Sequence, residues 1–125
     1  MKVLKQIFAN LFDRKNGKLG FNVEFVSGFL NHNAMNNFEK NKCSLNFENQ
    51  KFIIKQGSQE YSDSMQNVYN FVKIKNGNNY FFHINTKTHD EFTFNFGEYD
   101  LMFQALKNYA DAFEIPFEIE EGAEE

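Results

Sequence analysis

The chain has 125 residues with one cysteine, one proline and no tryptophan, a length that supports a single domain with its own buried core. One cysteine excludes an internal disulfide framework and a multi-cysteine zinc site, and no apolar run is long enough to span a bilayer. The net charge of −4 is uneven, because residues 88–125 carry one basic and eleven acidic side chains. Such a chain lacks the basic face that phosphates require, so nucleic acid is not an expected partner.

Phenylalanine is unusually abundant, with 17 residues, and 18 asparagines accompany them. Burying a phenylalanine contributes roughly 1.5–3 kcal/mol, so the sequence predicts an aromatic core. The richness in Asn, Lys, Phe and Ile is typical of AT-rich coding sequence, which favours a low-GC bacterium or its phage as the source. The first residues lack a signal-peptide cleavage pattern, so the expected location is the cytoplasm, with the inner face of the membrane as the alternative.

Residues 2–13 are predicted to form a short amphipathic helix, because apolar residues recur there at spacings of three and four. Basic residues around an apolar face are typical of helices that lie on an anionic membrane. Docking of the same face on the domain or on a partner chain is favoured, because a short helix is marginally stable without packing. The candidate residues for membrane or partner binding are Lys5, Phe8, Phe12, Arg14 and Lys15.

From about residue 20 the hydrophobic period changes to two, which is typical of strands with one buried face. The polar stretches 29–41 and 56–66 are predicted to be loops, and Asn76-Gly77 predicts a tight turn. The predicted strands cover residues 20–26, 42–47, 51–55, 67–75, 79–85 and 91–96.

The last third of the chain returns to a helical period. An apolar stripe predicts a helix over 99–113, and Pro116 prevents much continuation. Residues 117–120 are predicted to be either a last short strand or an ordered tail. The expected organisation has three parts: an N-terminal helix in 1–18, a β-rich domain in 19–116 and an acidic tail in 117–125.

The apolar face of the sheet and the apolar stripe of the C-terminal helix must both leave water, and packing them together achieves this. The predicted fold is therefore α+β and mainly β. It consists of a bent antiparallel sheet, or a partly open barrel, of six to seven strands capped by the C-terminal helix.

This order of elements resembles the pleckstrin-homology-like (PH-like) superfold, especially its small bacterial members. The residues that carry the resemblance are Phe21 to Leu30, the hairpin Lys42 to Lys55 and the run EFTFNFGEYDLMFQALKNYADAF at 91–113. The resemblance implies a binding or adaptor scaffold without chemistry. Phosphoinositide-binding members have a basic first loop, whereas residues 29–41 hold only Lys40, so inositol-phosphate binding is not carried over.

Residues that could carry chemistry are scattered along the chain. Cys43 alternates with Leu45 and Phe47, so it is predicted to be a small buried hydrophobe rather than a nucleophile. Surface and half-buried histidines are favoured over a metal site, and we expect no enzyme activity and no cofactor. The metal-site candidates are His32, His83, His89, Asp90 and Glu91.

Four lysines on the predicted strands are expected to point away from the core. They are candidates for binding an anionic ligand, although protection of sheet edges against aggregation is the favoured interpretation. These residues are Lys51, Lys55, Lys73 and Lys75.

The expected function is that of a non-enzymatic protein-interaction (adaptor) domain, which recognises a partner through a sheet edge or through a groove between sheet and helix. One alternative is a peripheral membrane protein that uses the N-terminal helix, and another is a small carrier of an apolar ligand. A second copy of the chain is a further candidate partner.

Overall fold

The computed structural model describes residues 18–98 and 100–121, with Glu121 described by its backbone alone. The helix predicted over 2–13 and its five candidate residues lie outside these residues. The described chain is mainly β. The strands of its first half are β1 (Leu19–Leu30), β2 (Asn33–Ala34), β3 (Lys42–Glu48), β4 (Lys51–Gln56) and β5 (Gln59–Ser64).

A short 3-10 helix, Met65–Asn67, joins the first half of the chain to the second. The second half contains three antiparallel strands, then an α-helix, then a last strand. These elements are β6 (Val68–Asn76), β7 (Asn79–Thr86), β8 (Glu91–Gly97), α1 (Met102–Ala112) and β9 (Phe117–Glu121).

The nine strands of the described residues belong to one sheet, in the order β5-β4-β3-β1-β8-β7-β6-β9, with β2 paired to β1. Every neighbouring pair is antiparallel except β6 and β9, which are parallel. The sheet is open within the described residues, because β5 and β9 are its two edges. The predicted count of six to seven strands was too low, because it omitted β2 and β5.

Strand β1 belongs to both halves of the sheet. Its first residues, Leu19 to Glu24, pair with β3, and Glu24 to Phe29 pair with β8 on the other side. The register shifts between Phe25 and Ser27, which is the irregularity that lets one strand bend between two pairings. The sheet can therefore fold over its own aromatic face.

Aromatic rings from distant strands fill the space inside the bend, as the composition predicted. Phe47 of β3 lies 5.9 Å from Phe71 of β6, and Phe52 of β4 lies 5.5 Å from Phe92 of β8, measured between ring centroids. All four rings are fully buried. Because these strands are separated in the sheet, the contacts join its two halves across the core.

Helix α1 lies over this aromatic core. Its Phe103 ring is 5.0 Å from Phe96, and its Tyr109 ring is 5.2 Å from Phe47. The helix spans Met102–Ala112, within the range predicted from the apolar stripe. Its buried residues are Phe103, Ala105, Leu106, Tyr109 and Ala110.

The end of α1 directs the chain back to the sheet. The Ile115 N–H donates to the Ala110 carbonyl at 2.9 Å and the Glu114 N–H donates to the Asp111 carbonyl at 3.0 Å, which is the hydrogen-bond pattern of a Schellman motif. Glu114 adopts the left-handed conformation that this motif requires, with φ of 59°. Pro116 follows, and the next residues form β9, one of the two alternatives for this segment.

The two predicted loops were wrong in part. In 29–41, β1 continues to Leu30 and the chain returns inward, so that Phe38 packs 5.3 Å from Phe25. In 56–66, five polar residues and Tyr61, which packs against the core, form the edge strand β5. An edge strand needs only the backbone hydrogen bonds of one neighbour, and its exposed side chains are free to be polar. The alternation of apolar residues therefore gives no signal for it.

Gly28 on β1 provides a test of the packing in this region. A Cβ at this position would lie 2.5 Å from Met35 Sδ and 2.9 Å from a ring carbon of Phe25, and both side chains are buried. We expect Gly28→Ala to lower the free energy of unfolding by about 1–3 kcal/mol, measured by urea denaturation. Gly20→Ala on the same strand is the matched control, because its Cβ meets only the end of the Asn46 side chain. Equal effects of the two substitutions would contradict the close packing around Gly28.

Candidate functional site

The four candidate lysines do not form one site. Lys51 and Lys55 lie on β4 and Lys73 and Lys75 lie on β6, and four strands separate β4 from β6 in the sheet. Neither strand is an edge, so the interpretation as edge protection was also wrong. The Lys55 ammonium lies 3.8 Å from the Glu60 carboxylate of the neighbouring strand.

Lys73 and Lys75 also face the opposite way to the prediction. Lys73 is paired with Phe82 of β7, and Phe82 is a fully buried core residue, so the two side chains share the core face. Val72 and Ile74 consequently lie on the outer face. The lysines are tolerated on the core face because the core ends here and the ammonium groups reach its rim. The sequence VKIK suggests that Val72 and Ile74 face the core, since apolar residues ordinarily do. Val72 is buried, at 5% exposure, but on the outer face.

The Lys73 side chain is only 18% exposed and is held from three directions. Its ammonium nitrogen lies 5.1 Å from the Tyr80 ring centroid and 5.0 Å from that of Phe103. It also lies 3.5 Å from Asp100 Oδ2, just before α1. Ring faces and a carboxylate both attract the ammonium group, so these three partners hold the Lys73 side chain in place.

A groove of about 300 Å³ opens beside Lys73, between α1 and β9. We call it the helix–strand groove. Two phenylalanines and three charged side chains are among the residues that line it. Its lining residues are Lys73, Asp100, Leu101, Phe103, Gln104, Lys107, Phe117 and Ile119.

The walls of the helix–strand groove expose apolar side chains to water. Leu101, before the first turn of α1, is 72% exposed, and Ile119, in the middle of β9, is 66% exposed. These are the two most exposed large hydrophobic side chains in the described part of the chain, and they line the same groove. Exposed apolar residues that cluster beside a groove are typical of an interaction surface rather than of a random surface distribution.

The charges of the groove are compensated within the chain. Lys73 is paired with Asp100, and Lys107 lies 3.6 Å from Asp111 one helical turn later. The groove therefore presents apolar surface without an unbalanced charge.

Sequence reasoning missed both Leu101 and Ile119. Leu101 falls outside the apolar stripe of α1, and Ile119 stands between two glutamates. An apolar residue that does not fit the local period was the available signal, but such residues are common on protein surfaces.

A larger cavity of about 1000 Å³ lies across β1, β3, β4 and β8, and its lining includes the core residues Val23, Cys43 and Phe96. Two of its polar side chains, Gln56 and Asn95, form hydrogen bonds within the fold. Gln56 accepts from the Glu39 N–H and donates to the Glu39 carbonyl, both at 2.7 Å, and Asn95 Oδ1 accepts from the Gly97 N–H at 2.7 Å. These two side chains are engaged within the fold, whereas the two most exposed large hydrophobic side chains of the described residues, Leu101 and Ile119, line the helix–strand groove, which we therefore take as the stronger candidate.

The histidines separate into two places. The rings of His32 and His89 stack with centroids 6.3 Å apart, whereas His83 Nδ1 lies 2.7 Å from Thr93 Oγ1 on the outer face of the sheet. Asp90, beside His89, accepts a hydrogen bond from the Asn31 N–H at 2.9 Å, which joins two turns. Within residues 18–98 and 100–121, no three or more His, Cys, Asp or Glu side chains are grouped so that they could hold a metal ion.

Cys43 is a buried free thiol, as predicted. Burial raises its pKa to about 11, so the thiol stays protonated near neutral pH and is a poor nucleophile. The burial of Cys43 in the core therefore accounts for its low reactivity.

None of the helices in the described part of the chain is both long and apolar enough to cross a bilayer. No protein-family model and no curated protein sequence matches this chain.

Proposed function

We propose that the chain is a non-enzymatic protein-interaction domain that binds a partner protein in the helix–strand groove. The observation that carries this proposal is the joint exposure of Leu101 and Ile119, at 72% and 66%, on the two walls of one groove. Apolar side chains that are solvated in the free protein and flank a groove gain free energy when a partner covers them. Polar residues at the rim then select the partner.

The architecture supports an adaptor scaffold of the PH-like type. Two antiparallel halves share the long strand β1, and α1 follows the last strand of the second half. The parallel strand β9, after α1, is an addition to the pattern that the resemblance implies. As part of the same proposal, the domain works in the cytoplasm of a low-GC bacterium or its phage. A free thiol such as that of Cys43 fits this compartment, because the cytoplasm keeps cysteines reduced.

The test is site-specific photo-crosslinking in the organism that encodes the chain. A benzophenone amino acid at position 101 is expected to form a discrete covalent adduct with one partner, identified by mass spectrometry. Position 69 is the matched control, because Tyr69 is also well exposed, at 62%, but lies on β6 away from the groove.

A second substitution makes the result specific to the groove. Ile119→Ser lies on the opposite wall and is expected to reduce the adduct at position 101 at least tenfold, since loss of a buried apolar anchor costs more than about 1.4 kcal/mol of binding free energy. Identical adducts from positions 101 and 69, or an adduct that Ile119→Ser leaves unchanged, would rule out the groove as the binding surface.

A further inference from the structure

We infer that the segment bound at the helix–strand groove is an extended strand that pairs with the free edge of β9 and alternates apolar and basic side chains. This inference rests on the proposed function and adds the chemistry of the partner. Four observations carry it: a free strand edge, the two different faces of β9, the compensated charges of the groove, and the acidic outer face of β9, whose carboxylates form no ion pair with another described residue.

The first observation is the free edge. β9 pairs with β6 on one side, and within the described residues no strand pairs with its other side. The backbone N–H and C=O groups on that side are available to a further strand, which is how extended peptides add to sheets. The helix–strand groove lies beside this edge, because Phe117 and Ile119 belong to both.

The second observation is that β9 has two chemically different faces. Phe117 pairs with Phe71 and Ile119 with Lys73, so these two residues lie on the core face. Glu118 and Glu120 alternate with them and point outward, and both are exposed. A strand added to β9 would continue this alternation, with one set of side chains directed to the groove and the other set beside the glutamates.

The groove side favours apolar residues. The two lysines of the groove are already paired with Asp100 and Asp111, at 3.5 and 3.6 Å. An incoming charge would lose hydration there without meeting an unpaired opposite charge, which is unfavourable. An apolar side chain would instead cover Leu101 and Ile119.

The outer side favours basic residues. Glu118 and Glu120 lie on the same outer face of an edge strand. Glu118 Oε2 accepts a hydrogen bond from Asn70 Nδ2 of β6 at 2.9 Å, a neutral donor that leaves the carboxylate charged, so Glu120 is the more available of the two. Oppositely charged neighbours across a strand pair stabilise the pair, whereas like charges destabilise it. The same glutamates disfavour the pairing of β9 with the β9 edge of a second copy. The acidic edge therefore acts against self-association and at the same time selects a cationic strand.

The inference can be tested with synthetic ten-residue peptides and the full-length protein, by fluorescence anisotropy at physiological salt. A peptide that alternates lysine and valine is expected to bind at least tenfold more tightly than one that alternates glutamate and valine. A lysine–serine peptide, which keeps the charge and loses the apolar face, is expected to bind at least tenfold more weakly. Two lysine–valine peptides, one methylated on the lysine backbone nitrogens and one on the valine backbone nitrogens, test the pairing: one of the two is expected to lose binding, because its methylated nitrogens face β9 and cannot donate to it.

Matched protein variants separate this edge from general electrostatic attraction. Glu120→Lys on β9 is expected to weaken binding of the lysine–valine peptide at least fivefold. Glu60→Lys on β5, the other edge of the sheet, makes the same charge change at an exposed site and is expected to alter binding less than twofold. Equal weakening by the two variants would overturn the inference, because the peptide would then respond to net charge alone.

The remaining outcomes distinguish this inference from the proposed function. If the lysine–valine peptide binds no better than the glutamate–valine peptide while the position 101 adduct still forms, the partner chemistry is wrong and the groove remains the binding surface. If neither occurs, both proposals fail. If sedimentation shows a dimer that Leu101→Asp converts to a monomer, the occupant is a second copy of the chain and the inference is overturned.

Discussion

Replacing Phe47 by alanine is expected to lower the free energy of unfolding by about 3–5 kcal/mol, a large part of the stability of a domain of this size. Phe47 is fully buried, and its ring contacts Phe71 of β6 and Tyr109 of α1. Its removal leaves a cavity where the first half of the sheet, the second half and the helix meet. Because this cavity is enclosed on several sides, the surroundings cannot readily collapse into it.

Urea denaturation followed by circular dichroism measures the effect. Phe47→Leu, which retains most of the volume, is expected to cost clearly less than the alanine variant. Tyr69→Ala, at a site that is 62% exposed, is the surface control and should change the free energy of unfolding by no more than about 0.5 kcal/mol. A cost below about 1.5 kcal/mol for Phe47→Ala would show that the two halves of the sheet do not depend on this contact.

The free energy of unfolding is expected to fall as the pH rises from about 9 to 12. Burial is the main cause, because it raises the pKa of Cys43 to about 11 and the pKa values of Tyr61 and Tyr109 to about 12. Nearby carboxylates raise the two tyrosine pKa values further: Asp63 and Asp90 act on Tyr61, and Glu48 acts on Tyr109. In this range the folded state binds more protons than the unfolded state, so stability decreases with pH. Each group contributes up to about 1.4 kcal/mol per pH unit between its unfolded and folded pKa values.

Tyr109→Phe isolates one of these contributions. The Tyr109 hydroxyl is buried and has no hydrogen-bond partner among the described residues, so removing the hydroxyl breaks no hydrogen bond with them. We expect the variant to equal or exceed the wild type in stability at pH 7, by up to about 1–2 kcal/mol, and to lose stability less steeply between pH 10 and 12.

Urea unfolding of both proteins at pH 7, 10 and 11 measures this difference. The ring volume is unchanged by the substitution, so packing against Phe47 should be retained. A loss of more than about 1 kcal/mol at pH 7, or an unchanged slope at high pH, would contradict the description of Tyr109 as a buried hydroxyl without a partner.

The alternation of single strands predicts the buried face correctly for β1, β3, β4, β7 and β8. Phe92, Phe94 and Phe96 recur every second residue, and the structure places all three in the core. The stripe of α1 was equally clear, because a helix with one buried side repeats every three or four residues. Both signals are local, so a single sequence is enough to detect them.

In β6, the alternation of apolar residues does not predict which side chains face the core. Val72 and Ile74 are apolar and Lys73 is charged, yet Lys73 lies on the core face. The ammonium of Lys73 is accepted there because the Tyr80 and Phe103 rings and the Asp100 carboxylate surround it. These partners come from β7, α1 and the residues before α1, so the environment that decides the facing is not visible along β6 itself.

The sequence by itself determined that this chain is mainly β with an aromatic core and a helix near its end, because burial imposes a period on each element independently of the others. Only the tertiary structure decided that β9 pairs in parallel with β6 and that Leu101 and Ile119 line one groove. Those features depend on which strands become neighbours and on how the turn at Glu114 directs the chain. The apolar pattern does not decide this, because many pairings of the same strands would bury equivalent apolar faces. The candidate site is made of the residues that the core leaves exposed, and local periodicity carries no information about where they meet.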